Sequence, residues 1–510
     1  MSDAAPQATR RGWVVAGLMA TLALSALEGT IVATAAPQVV GDLGGFASFG
    51  WVFSAYLLTQ TVSIPLYGKL ADQYGRKPVL MIGITIFLAG SALCASAGSM
   101  AALILFRAVQ GAGAGAIQAT VQTIAGDLYA VEERGRIQAR LSSVWATSAL
   151  AGPVLGGVLA DGLSWRWIFL LNLPVGLAAM AILWRHLHED VERRPHRIDA
   201  LGTALIFLSA GSLVFALLRG GVSWGWLSAP SLLILAGSAA AAGLAIVVER
   251  RAAEPVMPPW VWRRRVFSGA NLGMGGLGLL FAGPSIVLPL YGQLVLGLSV
   301  AVAGLLLASI LIAWPISSTL SPRLYLRFGF RRAAMLGATL ALVACAAFVA
   351  LPGEPPTAAV LAIGAVLGAG CGLLSVPLVV SVQSAVGWED RGVATSTAMF
   401  TRVLGQSLGA AVFGAITNAT LHHRLGDAPA DLRATLPADV DDISRSLQHG
   451  GDLDDRAAAY LGTAVSAATE HVFVGLAVVA GLTLLVLTFV VPRVPPPVPD
   501  GSPQPGSAGD

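Results

Sequence analysis

Long apolar runs separated by short polar ones set the pattern of this chain. Segments at roughly 13–35, 50–71, 79–99, 101–126, 138–160, 167–186, 199–218, 229–249, 267–291, 298–320, 333–352, 357–384, 393–420 and 470–491 predict fourteen helices. Each has close to the roughly 20 apolar residues that crossing a bilayer requires. The runs are too long for barrel strands and do not alternate at period two. Two stretches break the pattern. Residues 421–469 form an Asp-rich segment expected as a loop outside the membrane, and 492–510 a Pro/Gly/Ser-rich cytoplasmic tail expected to be disordered.

Composition agrees with the pattern. Of 510 residues, 55% are hydrophobic and 12% charged, about half the charged share of a soluble domain, which excludes a water-facing globule. The three cysteines, Cys94, Cys345 and Cys371, lie in apolar stretches and imply no disulfide framework. Residues 1–12 are polar and carry Arg10 and Arg11 ahead of the run that begins at Trp13. Because many runs follow it, this one reads as a first span and not a cleaved signal.

Charge changes the picture by giving direction. With the N-terminus inside, the cytoplasmic loops and tails hold 23 Lys and Arg residues and the outside holds 6, while Arg107 and Arg402 fall within spans. Dropping any one span would reverse every later loop and destroy the asymmetry, so an even number is expected, with both termini cytoplasmic.

A repeat divides the chain. Gly111-Ala112-Gly113-Ala114-Gly115 recurs as Gly368-Ala369-Gly370-Cys371-Gly372, and Glu132-Glu133-Arg134-Gly135 recurs at the same offset as Glu389-Asp390-Arg391-Gly392. Leu70, Tyr74, Gly75 and Lys77 correspond to Leu324, Phe328, Gly329 and Arg331. Two six-helix bundles, 13–198 and 267–491, are therefore expected around an insertion, 199–266, holding two helices and a linker. Paired bundles of this kind suit a transporter with its binding site near the midplane.

The motifs then become specific. Gly68-Lys69-Leu70-Ala71-Asp72-Gln73-Tyr74-Gly75-Arg76-Lys77 resembles the signature loop of the major facilitator superfamily, and Arg107 with Gln110 and Gly111 resembles that superfamily's span-four motif. Gly152-Pro153-Val154-Leu155-Gly156-Gly157 is similar to its antiporter motif. Leu27 to Pro37, and Trp165 to Phe169 followed by Asn172 and Pro174, resemble the fourteen-span drug:proton antiporters. The resemblance implies an all-α polytopic major facilitator fold and multidrug efflux, an activity tied to antibiotic resistance. The chain departs from the family in having Glu28 where Asp is commoner, and its second-half loop has Leu326 where the first has Asp72.

Glu28 lies about 22 Å into span one at about 1.5 Å per residue. A carboxylate there is costly and reads as functional by default; the competing reading has it satisfied by hydroxyls or snorkelling outward. Arg107 sits at a similar depth, so the two form a candidate pair, and the resemblance implies that Arg107 assists proton movement; its bland alternative is snorkelling to the headgroups. The loop residues Gly68, Asp72, Gly75, Arg76 and Lys77 read either as a turn with membrane anchors or as a switchable latch, with Asp72 facing a helix N-terminus and Arg76 facing an acid such as Asp127. Gly152 and Pro153 permit close packing and a kink, with Gly156 and Gly157 completing the motif. Candidate cavity residues are Tyr56, Gln60, Gln118, Gln122, Asn172, Asn271, Tyr291, Trp314 and Gln383, for which helix–helix hydrogen bonding is the alternative.

No nucleotide-binding or catalytic constellation is present, so an enzyme is disfavoured, and the loop histidines lack a complete metal-ligand set. The expectation is a proton-coupled exporter of amphipathic or cationic drug-like compounds in the cell (inner) membrane, driven by the proton motive force without a cofactor. Its partners are small substrates, protons and lipids, with no nucleic acid and no obligate protein. The alternatives are a dedicated exporter of an endogenous lipid or metabolite and a non-transporting scaffold or sensor.

Overall fold

The computed structural model describes residues 4–45, 48–189, 199–220, 224–252, 254–352, 355–429, 432 and 455–493. The first bundle comprises α1 (Ala4–Thr34), the short α2 (Ala36–Leu43), α3 (Gly50–Tyr74), α4 (Arg76–Ala95), α5 (Met100–Leu128), α6 (Val131–Gly162), α7 (Arg166–Leu170) and α8 (Asn172–His186). Two further helices, α9 (Ala200–Arg219) and α10 (Ala229–Glu249), lead through α11 (Trp260–Arg263) into the second bundle. That bundle holds α12 (Arg265–Leu294), α13 (Val300–Phe328), α14 (Phe330–Val349), α15 (Thr357–Ser384), α16 (Arg391–Gly426) and α17 (Asp455–Phe489).

Every predicted span falls on helix. Among the described residues, eleven helices are long and apolar enough to cross a membrane, and Leu201–Leu217 is a shorter apolar helix. The other two predicted spans lie on α3 and α6, whose ends carry Lys69 and Asp72, and Glu132, Glu133, Arg134, Arg136 and Arg140.

Several boundaries differ from the sequence reading, among them the end of α16, which runs to Gly426 inside the stretch read as loop. Helix α1 already begins at Ala4 within the polar N-terminus. Helix α17 begins at Asp455, inside the stretch read as loop, because Ala457, Leu461, Ala464, Val465 and Ala468 form a buried stripe that hydropathy, diluted by Ser and Thr, does not register. The rest of that loop, 430–431 and 433–454, and the tail from 494 lie outside the described residues. The sixth span is broken at Leu171 between α7 and α8; Pro174 has no N–H to donate to Leu170, so one continuous helical ladder cannot form.

Packing follows the repeat. Helices α3 and α4 flank α5 as α13 and α14 flank α15, while α1 packs on α6 and α8 as α12 packs on α16 and α17. Small residues permit the approach: Gly111 and Gly115 lie against α3 and Gly113 against α4, as Gly368 and Gly372 lie against α13 and Gly370 against α14. Gly75 and Gly329 occupy equivalent turns with φ of +96° and +84°, a region closed to most side chains.

The bundles touch through α3 with α16 and α6 with α13, and α9 packs on α3 and α16 with α10 behind it. For orientation, the end carrying Asp72 is called the Asp72 end and the opposite one the Asp42 end. At the latter, Asp42 between the first two spans accepts from Trp165 Nε1 and Arg166, both at 3.0 Å. These donors hold its carboxyl below the ordinary carboxylate range.

Candidate functional site

Glu28, on α1, is fully buried among polar groups of four other helices. Its Oε2 pairs with Arg107 of α5 at 2.5 Å, and its Oε1 accepts from Gln110 Nε2 of α5 at 2.6 Å and Asn172 Nδ2 of α8 at 2.5 Å. Ser91 of α4 completes the network: its hydroxyl donates to the Phe169 carbonyl at 3.0 Å and accepts from Asn172 at 2.8 Å and Gln110 at 3.1 Å. Arg107 also donates to the Val52 carbonyl at 3.2 Å and to Gln110 Oε1 at 2.7 Å, and its guanidinium lies 4.3 Å from the centre of the Tyr56 ring. All three groups that meet the carboxylate are donors.

Arg107 and Gln110 are one helical turn apart and so share a face of α5. Asn172, at the start of α8, reaches both Glu28 and Ser91.

The second constellation joins the bundles at the Asp72 end. Asp72 sits at the N-terminus of α16, its two oxygens accepting from Gly392 N at 2.8 Å and Val393 N at 2.7 Å. Burial pushes the Asp72 carboxyl up to about 7, against Arg76, the free amides and the helix dipole there, which favour an anion. Arg76 pairs with Asp72 at 2.9 Å and Asp127 at 3.0 Å, donates to the Trp388 carbonyl, and lies 3.6 Å over the Trp388 ring. Asp127 in turn pairs with Arg391 at 2.5 Å, and Arg391 donates to the Gln383 carbonyl at 3.0 Å. Gln383 donates across to the Gln122 carbonyl at 3.0 Å, and Arg134 to Ser384 Oγ at 3.0 Å. Glu189 caps α4 by accepting from the backbone of Arg76 and Lys77, and Lys77 Nζ donates to the Trp184 carbonyl at 2.7 Å.

The pseudo-equivalent contact between α13 and α6 is built differently. There Tyr325 donates to the Val131 carbonyl, and Tyr325, Ala333, Val376 and Val380 form an apolar cluster against Val131, Leu324, Leu326 and Phe330. The seam thus carries the Asp72 ion pair on the α3–α16 side and a tyrosine hydrogen bond over an apolar cluster where α13 meets α6, following the difference between Asp72 and Leu326.

A Cβ on Gly68 would meet Ser396 and lie 2.8 Å from the Gly392 carbonyl. Gly68→Val is therefore expected to part α3 from α16, at an overpacking cost of about 1–3 kcal/mol. Exchange of the Gly392 and Val393 amides should quicken about ten- to a hundred-fold by hydrogen-exchange mass spectrometry; unchanged protection would show that the seam accommodates the side chain.

Gly152 packs on Thr30 and Gly156 on Thr34 and the Ile31 carbonyl, which brings α6 onto α1 beyond Glu28, whereas Gly157 faces open space. Pro153 lies in α6, its side chain outside the described residues.

The candidate cavity residues divide. Asn172 and Tyr56 belong to the Glu28 network, with Tyr56 and Gln60 both within 3.2 Å of Ser25 Oγ. Gln122 accepts from Gln138 at 2.7 Å, and Gln383 belongs to the seam. Asn271 donates to the Val261 carbonyl at 3.3 Å, and Tyr291 packs edge-on to Phe348 at 5.4 Å, both buried in the second bundle. Trp314 donates to Ser375 at 3.2 Å. Gln118 is buried without a hydrogen-bond partner for either amide atom.

Ser91, Glu189, Trp388 and Ser384 carry no sequence signal of their own. Arg391 had one, since its loop repeats that of Arg134, and its partner Asp127 stands at the position equivalent to Ser384.

The chain is similar to known proteins over most of its length. The chain is 31% identical over 440 residues to the multidrug transporter protein MdtP of Bacillus subtilis (strain 168), covering 86% of this chain and 81% of that one. It is 32% identical over 427 residues to multidrug resistance protein 3 of the same organism, covering 83% of each. Among solved structures, the human organic anion transporter MFSD10 (TETRAN) superposes with a TM-score of 0.62 at 16% identity, covering 94% of this chain and 99% of that one. The proton:xylose symporter XylE gives a TM-score of 0.60 at 13% identity, covering 95% and 97%. Both structures show the fold alone. A family model described as Major Facilitator Superfamily matches residues 18–410. With a two-bundle helical fold, relatives that cover most of its length and a family match spanning both bundles, the chain belongs to the Major Facilitator Superfamily.

Proposed function

We propose that this multi-pass membrane transporter is a proton-coupled antiporter that exports amphipathic compounds across the cell membrane by alternating access. The observation that carries the reading is the buried Glu28 carboxylate, held by Arg107, Gln110 and Asn172 with no second acid in the network. A single titratable group in a low-dielectric site binds a proton in one conformation and releases it in another when its donors rearrange.

The seam supports the same cycle. In the state described here the bundles are latched at the Asp72 end, which the charge asymmetry of the loops puts at the cytoplasm. Protonation of Glu28 from the outside frees Arg107, the latch at Asp72 opens, and substrate enters from the cytoplasm as the proton leaves. Entry of one proton supplies about 2.3 kcal/mol per 100 mV and about 1.36 kcal/mol per pH unit, sufficient to drive accumulation without a nucleotide.

The relatives named for multidrug transport favour drug-like cargo. Purified protein in proteoliposomes tests the proposal: an amphipathic substrate added to one side should move protons the opposite way, and substrate flux without counterflow of protons would overturn antiport.

A further inference from the structure

Arg402 lies on α16 eleven residues beyond Arg391, about 16 Å from the Asp72 end at about 1.5 Å per residue. It is the second of the two basic residues placed within spans, and its situation is the reverse of Arg107's. Among the described residues its guanidinium has neither an ion pair nor a hydrogen-bond partner, and its Nε is sealed from solvent. The residue as a whole nonetheless stays partly accessible. Beside it, Gly278 meets the Arg402 carbonyl and Gly405 meets the backbone of Gly275, so α12 and α16 touch along a glycine seam with no room for a long side chain. At that depth the side chain cannot reach either headgroup layer, and an unpaired cation in the membrane is costly enough to need an anion for at least part of the cycle.

A second unsatisfied group lies level with it. Gln118 is ten residues before the end of α5, about 15 Å from the same end, and neither of its buried amide atoms has a partner. Helices α5 and α16 come from opposite bundles and pack against each other. A guanidinium and a carboxamide, neither with a hydrogen-bond partner among the described residues, thus stand at about the same height on adjacent helices of the two bundles.

We infer that Arg402 is the anion-recognising group of the substrate site, taking the carboxylate, sulfonate or phosphate of an amphipathic cargo, with Gln118 as a neutral hydrogen-bonding partner. The inference rests on the proposed export function and narrows its substrates towards amphipathic anions, away from the cationic compounds that the sequence led us to expect. A planar guanidinium with free N–H groups suits such a ligand because it binds an oxyanion through two parallel hydrogen bonds.

Binding without any gradient tests this separately from proton coupling. A dansyl-amino fatty acid and its methyl ester share a tail and a fluorophore and differ in the charge. Full-length protein in phosphatidylcholine nanodiscs should bind the acid about ten-fold more tightly than the ester, the scale of a charge-assisted hydrogen bond. Arg402→Gln should erase that preference, and Arg402→Lys should keep part of it. The unaltered protein gives an independent readout: the acid, and not the ester, should slow phenylglyoxal modification of Arg402 several-fold, followed by peptide mass spectrometry. Equal affinity for acid and ester, an undiminished preference in Arg402→Gln, or equal protection by both ligands would each overturn the inference.

Discussion

Glu28→Gln is expected to abolish efflux driven by an imposed pH gradient while leaving substrate binding measurable. The substitution keeps the shape of the side chain and removes its titration. It also alters the network, because the three groups that meet the carboxylate are all donors and a carboxamide brings an N–H₂ group of its own. One donor must turn away, and Arg107 loses its anion in a fully buried site. Breaking a buried pair from one side costs about 3–5 kcal/mol, so a lowered thermal stability should accompany the loss. Glu28→Asp separates the two effects. It restores titration one methylene short of Arg107 and should return gradient-driven efflux at a reduced rate. Efflux from proteoliposomes under a fixed pH gradient is the measurement, with ligand binding in the same preparations as the control. Gradient-driven efflux equal to the parent's in Glu28→Gln would remove this carboxylate from the mechanism.

Asp72→Asn should lower the transport rate ten-fold or more in a protein that still inserts and folds. Asp72 offers both oxygens to the first free amides of α16 and one of them also to Arg76. An asparagine accepts at one amide and presents a donor to the other, which removes a charge-assisted contact worth about 1.5–3 kcal/mol. That is a large share of what can hold two alternating states near balance. Because the partners are buried, added salt should screen little of the effect. Leu326→Ala, at the equivalent position of the apolar contact between α13 and α6, removes no ion pair and should change the rate far less. Comparable losses in both variants would show that the two sides of the seam work alike and that the ionic latch has no role of its own.

Much of the fold was legible because a bilayer imposes a length on every crossing segment. The predicted apolar runs all fall on helix, and among the described residues eleven helices are long and apolar enough to cross a membrane. Ends were less legible where helix formation and hydropathy diverge: Asp455 to Thr469 is helical because its alanines and a buried stripe favour it, although its average polarity reads as loop. The break at Leu171 did have a signal in Pro174, but Pro315 and Pro377 sit inside unbroken helices, so a proline by itself does not settle the matter.

At the site, the sequence by itself determined which residues were expensive to place in lipid: Glu28, Arg107 and Arg402, whose charge must be answered wherever the chain carries it. It also determined the motif that latches α3 to α16, since Asp72, Gly75 and Arg76 act through local geometry and a helix end. Only the tertiary structure decided how those charges are answered. An amide such as Asn172, Asn271 or Gln118 has the same chemistry whether it braces a carboxylate, caps a linker or stands unspent, and its partner is set by which helix faces it across the bundle. Glu28 and Asn172 are separated by 144 residues and meet at 2.5 Å, whereas Arg402 meets no acid among the described residues. Close packing of helices, which brings some polar groups into hydrogen-bonding distance and keeps others out of it, gave one arginine a buried carboxylate partner and the other none among the described residues.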